Sequence, residues 1–315
     1  MIKTKKKGDL RKSHFGWIFV SPWVFGFLCF TLVPLLVSLY LSFTEWNGFG
    51  GIQSAEWVGL KNYINLFNKE TKYGESFYAG LSNTLIYTLM AIVVNIVVGI
   101  SVAWSIAKAG TLNSALRTII YMPAMTISTA FAIMMDTIFG VKSQSLINRL
   151  LVMLGGESQA WLSTPGQAVW VMVLLCFWGV GGAMLTYLSG IKNIDQNVYD
   201  AAKIDGANNM TLLLKICIPL ISGVIVYQMI MGIVFGLQVF DLAVGLSSIV
   251  GAGDGAMGHG NSLATLVFYL YNKSFVDGEF GMGSAIGWVI FFISSVASIG
   301  LLAFVLKTGY YSLDD

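Results

Sequence analysis

The chain has 315 residues, of which 56% are hydrophobic and only 11% charged, whereas about a quarter of residues in ordinary soluble domains carry charge. A soluble core cannot hide that much apolar surface. A net charge of +2, with its basic excess beside apolar segments, gives no indication of a nucleic-acid partner.

One integral membrane domain is what remains, since a bilayer crossing needs about 20 mostly apolar residues. Six segments meet that length: 17–41, 81–107, 118–139, 168–188, 216–246 and 283–306. Ten-residue blocks of alternating polarity, the mark of a membrane barrel, are absent. Long apolar runs favour helices that satisfy their own backbone hydrogen bonds. The fold class expected is therefore an all-α membrane protein, a bundle of six transmembrane helices.

In chain order, residues 1–16 form a basic head containing Lys3, Lys5, Lys6, Lys7, Arg11 and Lys12. This start is like that of a signal peptide. The apolar segment after it is too long for a cleavable core, however, and has no small-residue cleavage site, so it is expected to remain as the first span. Residues 44–80 follow as an outer segment, in which 57–67 read as a short amphipathic helix near the interface. A brief loop separates spans two and three, and 140–167 is again partly apolar. The loop 190–215 is the longest on its side, with alternating charges and good helix formers from Tyr199 to Ala207. Pro219 is expected to open the fifth span, where a missing N–H is tolerated. Residues 247–260 turn glycine-rich around Asp254 and His259 and read as a flexible outer loop. A short tail, 307–315, closes the chain.

Lys and Arg set the orientation, because cytoplasmic flanks retain them. With both termini cytoplasmic, the inner side carries twelve and the outer side six (Lys61, Lys69, Lys72, Lys142, Arg149 and Lys273). Both termini are thus expected inside. Cys29, Cys176 and Cys217 lie in apolar segments at unrelated spacings, which suggests neither a disulfide framework nor a zinc site. A G-x-x-x-x-G-K-[ST] phosphate cradle is missing, and the two histidines, His14 and His259, are far apart. No catalytic residue, metal or cofactor is expected, and Asp136 reads as a capping or snorkelling residue.

Asp200-Ala201-Ala202, then Gly206 after three residues, then Ile216-Cys217-Ile218-Pro219-Leu220, resembles the EAA loop of binding-protein-dependent ABC importer permeases. Asp205-Gly206-Ala207 matches the commonest family form, while Asp200 stands for the usual Glu and Ile218 for the usual Leu. Small residues let a helix approach a groove closely, and an acid near a helix N-terminus suits the macrodipole. A glycine at 206 weakens the helix and permits a bend. The resemblance implies that this cytoplasmic helix inserts into a cleft of an ATPase subunit, with Asp200, Ala201, Ala202, Asp205, Gly206, Ala207 and Pro219 as coupling residues.

Further segments resemble the carbohydrate branch, of the maltose-type first permease subunit. They are Trp57–Phe67, Met122-Pro123-Ala124, Leu146-Ile147-Asn148, Trp161-Leu162 and Gln238-Val239-Phe240-Asp241. Beyond the last of these the family's T-x-G-G-P is degraded here to Ser247-Ser248 and glycines, with Thr265, Tyr269, Tyr271 and Phe275 further on. Polar groups at membrane depth are costly unless they face a cavity or partner. Gln238 and Asp241, with the aromatic Phe240 and Trp178, therefore become candidates for a sugar path, and the resemblance adds Gly179.

The partners implied are a second homologous permease subunit, two ABC ATPase subunits, an extracytoplasmic solute-binding protein, a sugar or oligosaccharide, and membrane lipid. The site implied is a bacterial inner or plasma membrane. An ion-coupled secondary transporter, a membrane scaffold or receptor, and a permease for a polyol or glycerol phosphate are the alternatives left open.

Overall fold

A computed structural model describes residues 15–126, 128–140, 145–250 and 257–307. The basic head up to residue 14, His14 with it, Lys142, the glycine run 251–256 with Asp254, and the tail from 308 lie outside the described residues.

Helix dominates because the apolar runs leave the backbone no other partner. α1 (Phe15–Phe27) passes through a π turn (Leu28–Leu32) into α2 (Val33–Ser42). The π turn precedes Pro34, where the widened backbone gives the ring room against the carbonyl four residues back. Among the described residues the only strands are β1 (Thr44–Glu45) and β2 (Glu56–Trp57), a two-residue antiparallel ladder. α3 (Lys61–Phe67) follows at the place read as an interfacial helix.

α4 (Lys72–Ala107) is the central rod. Its 36 residues span about 54 Å at 1.5 Å per residue, well beyond the roughly 30 Å of a hydrocarbon core. It therefore starts nine residues before the apolar run expected at 81–107. Thr71 caps it by accepting from the Gly74 N–H, and Glu75 sits in the first turn, where an acid complements the helix dipole.

Three of the expected spans are not single helices. The segment 118–139 divides into α5 (Asn113–Tyr121), a 3-10 turn (Met122–Met125) and α6 (Ser128–Phe139). Pro123 lies in that turn and has no N–H to carry the ladder on. After α7 (Leu146–Met153), the segment 168–188 becomes α8 (Gln167–Gly179) and α9 (Gly181–Lys192), bent by 44°. The loop 190–215 contributes α10 (Gln196–Ile204) and α11 (Asn209–Thr211), and a π turn (Leu212–Cys217) leads to α12 (Ile218–Leu220). The segment 216–246 then bends by 70° between Leu220 and Ser222. α13 (Ser222–Leu237) stops in turn, and α14 (Asp241–Ile249) resumes after three residues.

The stretch expected to be a flexible outer loop is ordered at both ends. Ser247 and Ser248 lie in the last turn of α14, which ends at Ile249, and His259–Asn261 form a tight turn. Next comes α15 (Leu266–Tyr271), running into a π turn (Asn272–Val276). This short helix was hidden in the sequence because its apolar run is too brief to register as a span. Side chains of α4 lock it down. Asn83 Nδ2 donates to the carbonyls of Asn261, Ser262 and Ala264 at 3.3, 3.3 and 3.0 Å. Thr84 Oγ1 accepts from the Leu266 N–H at 3.0 Å, and Tyr269 donates to the Tyr73 carbonyl.

α16 (Phe280–Lys307), the second long helix, packs on α2, α13 and α15. Around the central rod, α3, α8, α9, α13 and α15 all pack on α4. Among the described residues, three helices are long and apolar enough to cross a membrane, or five if each bent pair is one crossing.

Thr84 is fully buried, so Thr84→Val keeps the shape and strands a buried N–H. Such a loss costs about 1–3 kcal/mol. Thermal unfolding in detergent is expected to shift downward for Thr84→Val and to stay close to the parent for Thr84→Ser; an unchanged midpoint for Thr84→Val contradicts the assignment.

Candidate coupling loop and substrate path

The loop 190–215 folds as a helix, a turn and a helix. Asp195 caps α10, its carboxylate accepting from the Asn197 N–H. The acid that suits the helix N-terminus is therefore Asp195. Asp200, expected in that role, lies in the middle of α10, where it accepts from Gln196 and pairs with Lys203 at 3.0 Å. The Lys203 hydrogen bond, with help from Gln196, holds its carboxyl below the usual carboxylate range.

Gly206 ends the helix instead of bending it. Its φ is +82°, a left-handed conformation costly for residues with a Cβ. Gly206 N donates to the Lys203 carbonyl and Ala207 N to the Ala202 carbonyl, which is the paired bonding of a Schellman stop. Asn208 then starts the second helix, α11 to α12, by accepting from the Thr211 N–H. Pro219 accordingly does not open the following span. It sits in the last turn before the 70° bend, and the π turn ahead of it absorbs the missing N–H and the ring's bulk.

One face of the loop is anchored and the other is open. Tyr199 packs on Trp104 with ring centroids 6.0 Å apart. Lys108 Nζ lies 4.0 Å over the same indole and donates to Asn209 Oδ1 at 2.6 Å. Burial, reinforced by the Lys203 charge, lowers the Lys108 pKa. These contacts tie both halves of the loop to the end of α4. Away from them Val198, Ile204, Met210 and Leu214 are exposed, Ile204 at 87%. Ala201, Asp205 and Gly206 are exposed, and Ala202 and Ala207 half-buried. Trp104, Lys108, Tyr199 and Asn209 were missed as anchors. The available signal was a Trp and a Lys four residues apart, hence on one helix face, at the end of an apolar run.

The second candidate set lies at helix breaks. Gln238, Val239 and Phe240 separate α13 from α14, and Thr265 Oγ1 donates to the Val239 carbonyl at 2.8 Å. Gln238 and Asp241 are exposed and Phe240 is half-buried. The Phe240 ring lies 5.3 Å from that of Tyr271 and 6.3 Å from that of Phe268. Trp178 is held elsewhere: its Nε1 donates to the Pro123 carbonyl at 3.1 Å and its ring meets Phe131 at 6.2 Å. A Cβ on Gly179 would meet nothing within 4 Å, whereas one on Gly181 would fall 2.7 Å from the Ile120 carbonyl. Close helix approach thus belongs to Gly181. Trp178 and Gly179 lie at the bend of α8 and α9, on an element separate from the Gln238–Asp241 break. No cluster of three potential metal ligands occurs among the described residues.

Residues 95–309 match the family model described as the binding-protein-dependent transport system inner membrane component. The chain is 33% identical to the probable ABC transporter permease protein YesP of Bacillus subtilis (strain 168), over 98% of this chain and 94% of that one. The arabinooligosaccharides transport system permease protein AraP of the same organism is 32% identical, over 91% and 87%. The lactose transport system permease protein LacF of Rhizobium radiobacter is 28% identical, over 94% and 96%. Among solved structures, a chain of the bacterial alginate ABC transporter in complex with alginate pentasaccharide-bound periplasmic protein superposes with a TM-score of 0.74 at 18% identity. That match covers 95% of this chain and 96% of the other.

Gly206 stands in open space, where an added Cβ would meet nothing within 4 Å, so the turn responds to substitution through its backbone alone. Gly206→Ala is expected to destabilise it by about 1 kcal/mol, and Gly206→Asn by much less. Hydrogen exchange at the Gly206 and Ala207 amides reads the difference; equal protection in all three proteins rules out the left-handed stop.

Proposed function

The chain belongs to the binding-protein-dependent transport system inner membrane components, a permease family and not a family of enzymes, and from that premise we propose that it carries a sugar or oligosaccharide as one half of a two-subunit pore. The observation that carries the coupling part is the loop itself. A helix stopped at Gly206 and restarted at Asn208 presents exposed apolar side chains on one face while Tyr199 and Asn209 hold the other to α4.

In this proposal Asp200, Ala201, Ala202, Asp205, Gly206 and Ala207 form the element that enters an ATPase subunit, and Pro219 joins that coupling element to the fifth crossing. A second, homologous permease completes the pore, two ATPases supply the work, and an extracytoplasmic binding protein delivers the substrate. Six crossings are assigned with both termini cytoplasmic: α1–α2, α4, α5–α6, α8–α9, α11–α13 and α16. Residues 1–16 and 307–315 are the cytoplasmic ends of a membrane domain spanning 17–306 in a bacterial inner membrane. The excess of Lys and Arg on the α10 side supports that orientation. α14 and α15 then lie on the outer side, and Gln238, Phe240, Asp241, Trp178 and Gly179 line the path. Names of the relatives, which include arabinooligosaccharide and lactose permeases, support a saccharide cargo.

Closure of the ATPases would rock the crossings between inward and outward access. The bends near Val180 and Ile221 are positions where such motion needs no helix to be broken anew. Few ionisable side chains lie within the assigned crossings, which disfavours ion coupling.

The test is uptake by the complete assembly in proteoliposomes, with ATP on the α10 side and binding protein on the other, using labelled arabinotriose, lactose, trehalose and glycerol phosphate. Uptake of a saccharide that needs ATP and survives collapse of ion gradients is expected; uptake that follows the gradient without ATP establishes a secondary transporter. Gly206→Val is expected to insert and assemble yet lose substrate-stimulated ATP hydrolysis. Asp241→Ala is expected to raise the KM about tenfold, the cost of one hydrogen bond to a polar ligand, and an unchanged KM removes Asp241 from the path.

A further inference from the structure

We propose that the extracytoplasmic cavity between the β1–β2 hairpin, α3 and the start of α16 is a second saccharide subsite, joined to the Gln238–Asp241 break by a ladder of aromatic rings. The proposal rests on the saccharide-permease reading above and adds to it a place where the sugar is held before the membrane path.

The cavity measures about 670 Å³, inside the roughly 300–1,000 Å³ range of small-molecule sites. Trp46, Phe49 and Tyr73 line it together with the amides of Asn47 and Asn65, while the buried Asn62 at its wall spends its Nδ2 on the Ser42 and Thr44 carbonyls. Flat rings beside paired donors and acceptors match a sugar, which has an apolar C–H face and a rim of hydroxyls. The Trp46 ring is set in place beforehand: its Nε1 donates to the Phe49 carbonyl and to Ser54 Oγ, both at 3.2 Å. A ring already fixed costs less to use on binding.

Charge narrows the ligand class. The carboxylates of Glu45, Glu56, Asp277 and Glu279 line the cavity. Against them stand Lys61, 2.9 Å from Glu45, and Lys273 beneath, 2.7 Å from Asp277 and 3.4 Å from Glu279. Burial works to lower the Lys273 pKa, but the Asp277 hydrogen bond and the Glu279 charge outweigh it and hold the ammonium above its ordinary range. Both lysines are therefore already paired, and two carboxylates remain in excess. Like-charge repulsion disfavours acidic sugars, so the subsite fits a neutral saccharide.

From Trp46 the rings continue without a gap. Trp46 meets Phe280 at 5.6 Å, Phe280 meets Phe275 at 5.7 Å, Phe275 meets Tyr271 at 5.3 Å, and Tyr271 meets Phe240 at 5.3 Å. Phe275 and Tyr271, one helical turn apart, are open at 65% and 37%. At the lower end Phe240 stands between the exposed Gln238 and Asp241. A neutral sugar can pass from face to face along such rungs, exchanging one stacking contact for the next.

The experiment uses the complete assembly and the labelled saccharide that the unmodified assembly takes up from the panel above. Phe275→Ala, an exposed position that spares folding, and Trp46→Ala are each expected to raise the uptake KM by about fivefold to tenfold, the value of one lost aromatic contact. Phe275→Trp and Trp46→Phe are expected to restore it. An unchanged KM in both alanine variants overturns the ladder and leaves these rings as a lipid or subunit face. For direct occupancy, Asn47→Cys in a Cys29→Ser background is labelled with a membrane-impermeant maleimide. The neutral saccharide at twice its Kd is expected to slow labelling about threefold, and digalacturonate is expected not to. No protection, or equal protection by the uronate, overturns the subsite. Absence of uptake of every saccharide by the unmodified assembly is a different result and sinks the sugar-permease reading itself.

Discussion

A backbone in lipid has no water to satisfy its N–H and C=O groups, and a break in a membrane helix survives only where protein supplies the missing partner. This chain has such breaks at residues 122–126, at Val180, at Ile221 and at 238–240. Partners are present at two of them in a telling form. Trp178 Nε1 serves the Pro123 carbonyl, and Thr265 Oγ1 serves the Val239 carbonyl. Thr265 belongs to the cap of α15, which Asn83 and Thr84 of α4 fasten in turn. The break at 238–240 is thereby fastened to one intact helix.

The same intact helix reaches the opposite end of the molecule. There Trp104 and Lys108 hold Tyr199 and Asn209 of the loop. α4 is thus a rigid member with the α15 cap at one end and the α10 loop at the other. The loop meets α4 through a tilted pair of rings, a cation over the same indole and a hydrogen bond, all at the end of that helix. Because α8, α9 and α13 pack on α4 as well, a push at the loop would, in the proposed mechanism, reach the bent elements together. Coupling of this kind needs discrete packed contacts more than it needs distance.

Composition and run length made the helical membrane class legible, and the spacing from Asp200 to Pro219 made the family legible, because both depend on local residue chemistry. Helix interruption was not legible. Residues 216–246 form an apolar run in which Ile221 and the 238–240 break look no different from helix. Local sequence did not distinguish Gly206 as a bend from Gly206 as a stop either, since both use the same freedom from a Cβ. The stop depends on the pairing of Ala207 with Ala202, a relation that spans the whole turn. Asp200 and Asp195 were likewise exchangeable until the cap was visible. Trp178 was read for its ring, while its N–H is already committed to Pro123, leaving only its face for a ligand. The helix 266–276 was hidden by its shortness, and with it the contact of Tyr271 with Phe240.

These differences share a physical cause. Run length reports how much apolar surface an element has, and it is blind to where the element bends, since a bend changes no residue's polarity. Bends are also the low-stability points of a packed helical protein, and a transporter must move at some of them. The broken segments here carry Gln238, Phe240 and Asp241 at one break and border Gly179 at another, whereas α4 and α16, the longest uninterrupted helices, carry none of the candidate path residues. Rigid members hold the frame, and the interrupted ones bear the candidate path residues. A polar residue placed mid-rod would need a fixed partner for life; placed at an unwound step, it can exchange protein partners for ligand at small cost.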